Sequence, residues 1–381
     1  MTQLIFFAMG MFTMGCSSYI IAGLLPKISS TLGATTAATG QGVAAFGLTY
    51  VVCAPVFAVL LAKKPARRIL LLALAVFAMG NVVTMLSSRL TIFLLGRAIA
   101  GLGAGLYSPI CVAAAVHMVG PEARGKSLSF IWGANSAGAV IGVPIGLWLS
   151  NQFGWQYAIG LILLFSVFSL IGVSAQKIDI QVKAPPSLAA RLKMLVDRRV
   201  VLVIAVTCLT ATGSLGLYTY LGPMQTDAAN SLTATLFVWS LGGLVGSTFV
   251  GYFVDRTHKP SWVMATILTI LIAAILTLPL VHSIPFLGLA PFLVWGAMGW
   301  ATVTPQQHTL ISLQPEQSAT LAALNGSAIS LGSVLGSAFG GSAIASGLDV
   351  KNLPYAAASL LLCALALQIL LIKKSYRGVS P

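Results

Sequence analysis

Apolar residues fill this chain in long runs, and polar residues gather in the short stretches between them. About a dozen runs reach roughly 20 residues, the length at which a helix crosses the hydrocarbon core of a bilayer. They predict spans at about 3–26, 37–62, 69–88, 90–118, 127–149, 155–175, 200–222, 233–254, 261–281, 286–311, 319–346 and 354–372. The pattern implies an all-α membrane protein with twelve transmembrane helices. With 57% hydrophobic and only 7% charged residues, a soluble domain is excluded. The first run lacks a basic leader and a small-residue cleavage site, so it reads as a retained helix.

The net charge of +14 would suit nucleic acid if it formed one patch, but its distribution describes a topology. Seventeen of the 21 basic residues fall on one side of the twelve spans, among them Lys64, Arg67, Arg68, Arg124, Lys183, Arg256 and Lys373. Lys27, Arg89 and Lys351 fall on the other side, and Arg97 lies inside a span. By the positive-inside rule the rich side is cytoplasmic, which places both termini there. The five cysteines sit inside spans without metal-ligand spacing, so they read as small packed thiols. Neither metal nor cofactor is expected.

The second half repeats the first. Gly251-Tyr-Phe-Val-Asp255-Arg256 lies 193 residues beyond Ala58-Val-Leu-Leu-Ala62-Lys63. At an offset of 194, Pro121-Glu122 falls on Pro315-Glu316, and Gly138, Gly142 and Gly146 fall on Gly332, Gly336 and Gly340. Six spans separate the copies, an even number, so the repeats are parallel. Halves 1–175 and 200–381 are expected, joined by a basic cytoplasmic linker at 176–199 that contains Pro185-Pro186. Two parallel six-helix halves are the plan of one large class of secondary carriers.

Several segments carry a resemblance to a known family: Gly23-Leu24-Leu25-Pro26-Lys27-Ile28, Arg97-Ala-Ile-Ala-Gly101-Leu-Gly103, Gly138-Ala-Val-Ile-Gly142-Val-Pro144-Ile-Gly146, Gly154-Trp155 and Tyr218-Thr-Tyr220-Leu-Gly-Pro223. Over essentially its full length the chain resembles the major facilitator superfamily. It looks most like the drug:proton antiporter branch that includes arabinose-efflux and purine-nucleoside-efflux permeases. The resemblance implies a monomeric bacterial inner-membrane carrier that exchanges substrate for protons by rocker-switch alternating access. It marks Gly138, Gly142, Pro144 and Gly146 as an antiporter motif. It also marks Arg67, Arg68, Glu122, Arg124, Asp255 and Arg256 as gating residues on the cytoplasmic side. The first gate copy departs from the family pattern, with Ala58, Ala62 and Pro65 in place of two glycines and an Asp. Asp255 is therefore expected to do more than its missing twin, by capping a helix start and pairing with basic loop residues. Ser18 stands where many relatives of that branch place a Glu.

Depth along the spans selects Ser17, Ser18, Phe46, Tyr50, Tyr107, Asn135, Tyr218, Trp239, Trp300 and Asn325 as candidate substrate-binding residues, with Thr212 and Trp295 at similar depth. Aromatic and amide groups suit an amphiphilic organic molecule, although any one aromatic can equally serve packing. Arg97 joins the set either as a substrate contact or as a brace bonded to carbonyls. All seven carboxylates lie in loops or at span edges, whereas a proton relay ordinarily needs one inside the membrane. His117 and His308, near cytoplasmic span ends, are the remaining titratable candidates, with Asp227 the first edge carboxylate to consider. No nucleophile–base pair sits at mid-span, which argues against an enzyme. No ring of charges marks a channel. The expected function is export of a small neutral or anionic organic molecule, with import of a nutrient on the same fold as the alternative.

Overall fold

The computed structural model describes residues 2–60, 64–119, 124–176, 189, 193–225, 230–281 and 283–377. Among these, secondary structure is entirely helical, as lipid demands of a backbone that must satisfy its own hydrogen bonds. Eleven of the helical stretches among the described residues are long and apolar enough to cross a membrane. The helix Thr36–Leu60 occupies the place of the remaining expected span.

The chain divides into two compact units, Met1–Ser187 and Leu188–Pro381. The division falls inside the expected linker, most of which lies outside the described residues. The first unit contains α1 (Thr2–Leu32), α2 (Thr36–Leu60), α3 (Ala66–Met85) and α4 (Leu90–His117). A fifth span follows in three pieces: α5 (Arg124–Ala137), a π-helical turn (Gly138–Gly142) and α6 (Val143–Phe153). Then comes α7 (Trp155–Ala175). Within this unit α1 packs on α5, the π turn and α7, α2 on α4, and α3 on α4 and α7.

The second unit runs α8 (Arg198–Thr219), a short α9 (Leu221–Met224), α10 (Leu232–Thr257) and α11 (Pro260–Val281). Its tenth span is broken into α12 (Ala290–Ala301) and α13 (Val303–Leu313), followed by α14 (Ser318–Ala345) and α15 (Leu353–Arg377). The pairings recur here: α8 on α14 and α15, α10 on α12, and α11 on α12 and α15. The repeat read from glycine spacing is thus a repeat of packing.

The glycine rows mark the closest of those contacts. A Cβ built on Gly138 would meet the Phe12 carbonyl oxygen at 2.1 Å, and one on Gly336 the Thr212 carbonyl at 2.2 Å. Small residues at this spacing let membrane helices approach backbone to backbone. The two rows differ in one respect that spacing does not reveal. The first passes through the π turn, where the Val143 amide donates to the Gly138 carbonyl, whereas α14 is continuous over 28 residues. Pro144 supplies the reason. It lacks an amide hydrogen and crowds the carbonyl four residues back, and a widened turn just before it accommodates the ring.

Candidate functional site

Arg97 is the buried polar centre of the first unit. Its side chain is fully buried, on α4, and reaches two other helices. Nη1 donates to Ser17 Oγ and Nη2 to the Ser17 carbonyl, both at 3.0 Å, and Nε donates to the Gly42 carbonyl at 3.4 Å. Phe46 covers the guanidinium, with its ring centroid 4.4 Å from Cζ. The planar fork of arginine matches two acceptors on one residue, and the ring face adds cation–π attraction of about 0.5–2 kcal/mol. The structure thus brings Ser17, Phe46 and Arg97 together. Tyr50 stacks beyond Phe46, with centroids 6.4 Å apart at 25°.

The other first-unit candidates are tied to helix backbones. The buried Tyr107 hydroxyl donates to the Phe7 carbonyl at 3.0 Å, and Asn135 Nδ2 to the Met11 carbonyl at 3.2 Å. Ser18 Oγ donates to the Met14 carbonyl of its own helix at 2.8 Å. Tyr107 and Asn135 both seat on α1, four residues apart at Phe7 and Met11, so they fasten α4 and α5 to that helix. Cys16 and Cys111 are buried free thiols.

The second unit replaces this polar centre with aromatic rings. Tyr218 and Trp239 lie 4.3 Å apart between centroids, and Trp239 meets Trp295 and Trp300 edge-to-face at 6.1 and 6.2 Å. Trp295 Nε1 donates to Ser214 Oγ at 2.8 Å, which fixes the base of the cluster. Trp239 and Trp295 are fully buried, whereas Trp300 is half-buried. Thr212 bonds back to the Cys208 carbonyl of its own helix at 2.8 Å.

Asn325 lies apart from the rings in an amide cluster. Its Oδ1 accepts from Thr207 Oγ1 at 3.0 Å, and its Nδ2 donates to Gln307 Oε1 at 3.2 Å. Gln306 Nε2 donates to the Val203 carbonyl at 3.3 Å. Sequence reasoning found Asn325 but missed Thr207, Gln306 and Gln307. Two adjacent amides beside Pro305 in an apolar run were the available signal.

The gate residues are less collected than expected. Asp255 is exposed in the last turn of α10, three residues before the left-handed His258 that ends the helix, and forms no ion pair among the described residues. It neither caps the start of α11 nor pairs with a loop base, because its position within α10 turns it outward. Arg256 instead donates to the hydroxyl of Tyr252, one turn back, at 2.8 Å. Arg67 Nη2 donates to the Ser174 carbonyl at the end of α7, a favourable place for a cation. Arg68 is exposed. Glu122, Asp227 and the side chains of Arg124 and His117 lie outside the described residues. His308 is exposed, with Nδ1 3.4 Å from Ser312 Oγ. Lys27, read only as an outer loop base, donates to the Ser150 carbonyl and to Asn151 Oδ1, both at 2.8 Å. It ties the end of α1 to the end of α6.

Comparison with known proteins places these features in a family. The model of the Major Facilitator Superfamily matches residues 7–337. The MFS-type transporter YbcL of Bacillus subtilis is 28% identical over 335 residues, covering 87% of this chain and 85% of its own. A chloramphenicol resistance protein of Streptomyces lividans is 26% identical over 302 residues, 77% of this chain and 76% of its own. Among solved structures, a bacterial homologue of the human lysosomal transporter Spinster superposes with a TM-score of 0.77 at 15% identity, covering 97% of this chain and 96% of its own. A variant of the nucleoside transporter NupG gives 0.78 at 13% identity, covering 97% and 99%. These last two likenesses are likenesses of fold.

Proposed function

Because this chain belongs to the Major Facilitator Superfamily, we propose that it is a bacterial inner-membrane exporter of small neutral or anionic organic molecules. It acts as a monomer by rocker-switch alternating access, with both termini cytoplasmic. The observation that carries the reading is Arg97. A fully buried guanidinium is held by one hydroxyl, two carbonyls and a ring, with no carboxylate beside it among the described residues. A second buried cation would need a counter-charge that these spans lack, so cationic substrates are disfavoured. The rings of Tyr218, Trp239 and Trp300 offer stacking surface to an organic body. The name of the Streptomyces relative supports outward transport of an antibiotic-like solute.

The test is a deletion strain challenged with neutral, anionic and cationic antibiotics, with the gene restored on a plasmid. Sensitisation to neutral or anionic compounds, reversed by the plasmid, supports export. Loss of growth on a single nutrient without sensitisation makes the chain an importer, and sensitisation confined to quaternary ammonium dyes removes the charge preference. Any proton coupling is weak, runs through His117 or His308, or is carried by the substrate's own ionisation beside Arg97, because arginine keeps its proton at physiological pH.

A further inference from the structure

Gln306 occupies the first full turn of α13, just past the break at Thr302 and next to Pro305. It is 1% exposed. Its Nε2 donates to the Val203 carbonyl, which settles which end of the amide is which, since turning it over would face one oxygen with another. Oε1 is also buried, and it accepts no hydrogen bond among the described residues. A buried acceptor without a donor is costly, and native interiors rarely keep one.

Among the described residues no neighbour donates to it. Gln307 Oε1 and Asn325 Oδ1 already accept, from Asn325 Nδ2 and Thr207 Oγ1 respectively. Val203 and Thr207 lie one turn apart on α8, so Gln306 and Asn325 dock side by side on that helix. The cluster is uncharged, and Gln306 Oε1 is its one buried polar atom without a hydrogen-bond partner among the described residues. What completes it must donate a hydrogen bond, and a cation there would find no counter-charge in the cluster.

We propose that Gln306 is a specificity-determining residue whose Oε1 accepts a hydrogen bond from a hydroxyl or N–H of the transported molecule. The substrate class is thereby narrowed to solutes bearing such donors. The inference rests on the carrier reading above and names one contact within it. Half-buried Gln307, beside it on α13, is the member of the pair nearer the surface.

The experiment uses purified full-length protein and two ligand pairs, chloramphenicol with its di-O-acetyl derivative and uridine with its tri-O-acetyl derivative. Acetylation removes the hydroxyl donors, and its added bulk acts alike on wild type and variant. Affinities are measured by tryptophan fluorescence for the wild type and for Gln306→Met, with Gln306→Leu as the second apolar variant should the first not fold. The expected result is a preference for the donor-bearing member of at least one pair that falls at least about fivefold in the variant, the scale of one hydrogen bond, while affinity for the acetylated member holds. An unchanged preference, an equal loss on both members, or no binding of either parent compound by the wild type overturns the proposal. The deletion-strain assay reads separately. Protection of cells with an unchanged preference rejects the Gln306 contact alone, and a lost preference without protection rejects export alone.

Discussion

Gly101 of α4 lies against the carbonyl of Phe46 in α2, so close that a Cβ on Gly101 would stand 2.1 Å from the oxygen. The relationship is repeated in the second unit, where a Cβ on Gly296 would stand 1.9 Å from the Trp239 carbonyl. One turn further on the copies diverge. Gly105 rests on the Tyr50 backbone in the first unit, whereas in the second the Trp300 ring rests on Gly243. The bulky ring has moved from one helix of the pair to the other. That exchange lets the second unit build its aromatic cluster without parting the helices.

Gly101→Ala and Gly296→Ala are therefore expected to destabilise the protein, each by about 1–3 kcal/mol or more, because the new methyl meets backbone rather than a side chain that could turn aside. Gly133 and Gly326 have nothing within 4 Å of a Cβ. Their alanine variants should hold stability or gain up to about 1 kcal/mol from helix propensity. Thermal unfolding in detergent reads all four. A Gly101→Ala protein as stable as wild type would remove the close approach.

Arg97→Lys should behave as a severe change despite keeping the charge. A lysine ammonium cannot hold Ser17 Oγ, the Ser17 carbonyl and the Gly42 carbonyl in one plane under Phe46. Ser17→Ala removes one acceptor and leaves a charged donor unmatched in a dry site, at a cost of about 1–3 kcal/mol. The expected order of transport activity is wild type, then Ser17→Ala, then Arg97→Lys. A fully active Arg97→Lys carrier would show that the three-helix brace is dispensable.

Much of this arrangement was legible in the sequence. Arg97 stood out as the lone charge within a span, and the glycines at 138, 142 and 146 announced a close helix pair through their matches at 332, 336 and 340. Asn135 and Asn325 were found by their depth along the spans. What stayed hidden depends on direction rather than depth. Spacing gives no hint that Tyr107 and Asn135 both turn to α1, or that the fifth span needs a π turn ahead of Pro144. Gln306 and Gln307 lie so near the end of an apolar run that a selection by mid-span depth passes over them. The ion pair expected of Asp255 assumed a loop position, whereas the residue still belongs to the last turn of α10.

Topology can be checked by cysteine labelling in a background in which the exposed Cys363 is replaced by Ser. Lys351 and Lys259 are both exposed and lie on opposite sides by the basic-residue count. Lys351→Cys should react with an impermeant maleimide in intact spheroplasts, and Lys259→Cys only after lysis. The opposite pattern would invert the orientation.

For coupling, the antiporter-like glycine segment and the placement of titratable groups point different ways. A proton carrier must gain and lose its proton at each turnover, and arginine does not do so at physiological pH. Among the described residues the carboxylates are confined to helix ends and turns. Asp197 caps α8 by accepting from the Arg199 amide at 2.8 Å, Asp349 accepts from the Lys351 amide at 2.9 Å, and Asp255 is exposed. His308, with Ser312 one turn away, directly follows Gln307 of the Asn325 cluster in sequence. We expect His308→Ala combined with His117→Ala to abolish any uphill movement of a non-ionisable solute driven by an imposed pH gradient in proteoliposomes. Downhill exchange should persist at more than about half the wild-type rate, since the exposed His308 belongs neither to the Arg97 brace nor to the aromatic cluster. For a substrate that ionises near neutral pH, gradient-driven accumulation should survive the double variant, because the substrate then carries the proton itself. Strong proton-driven accumulation of a non-ionisable solute by the double variant would exclude both routes and move the search to the edge carboxylates, beginning with Asp227.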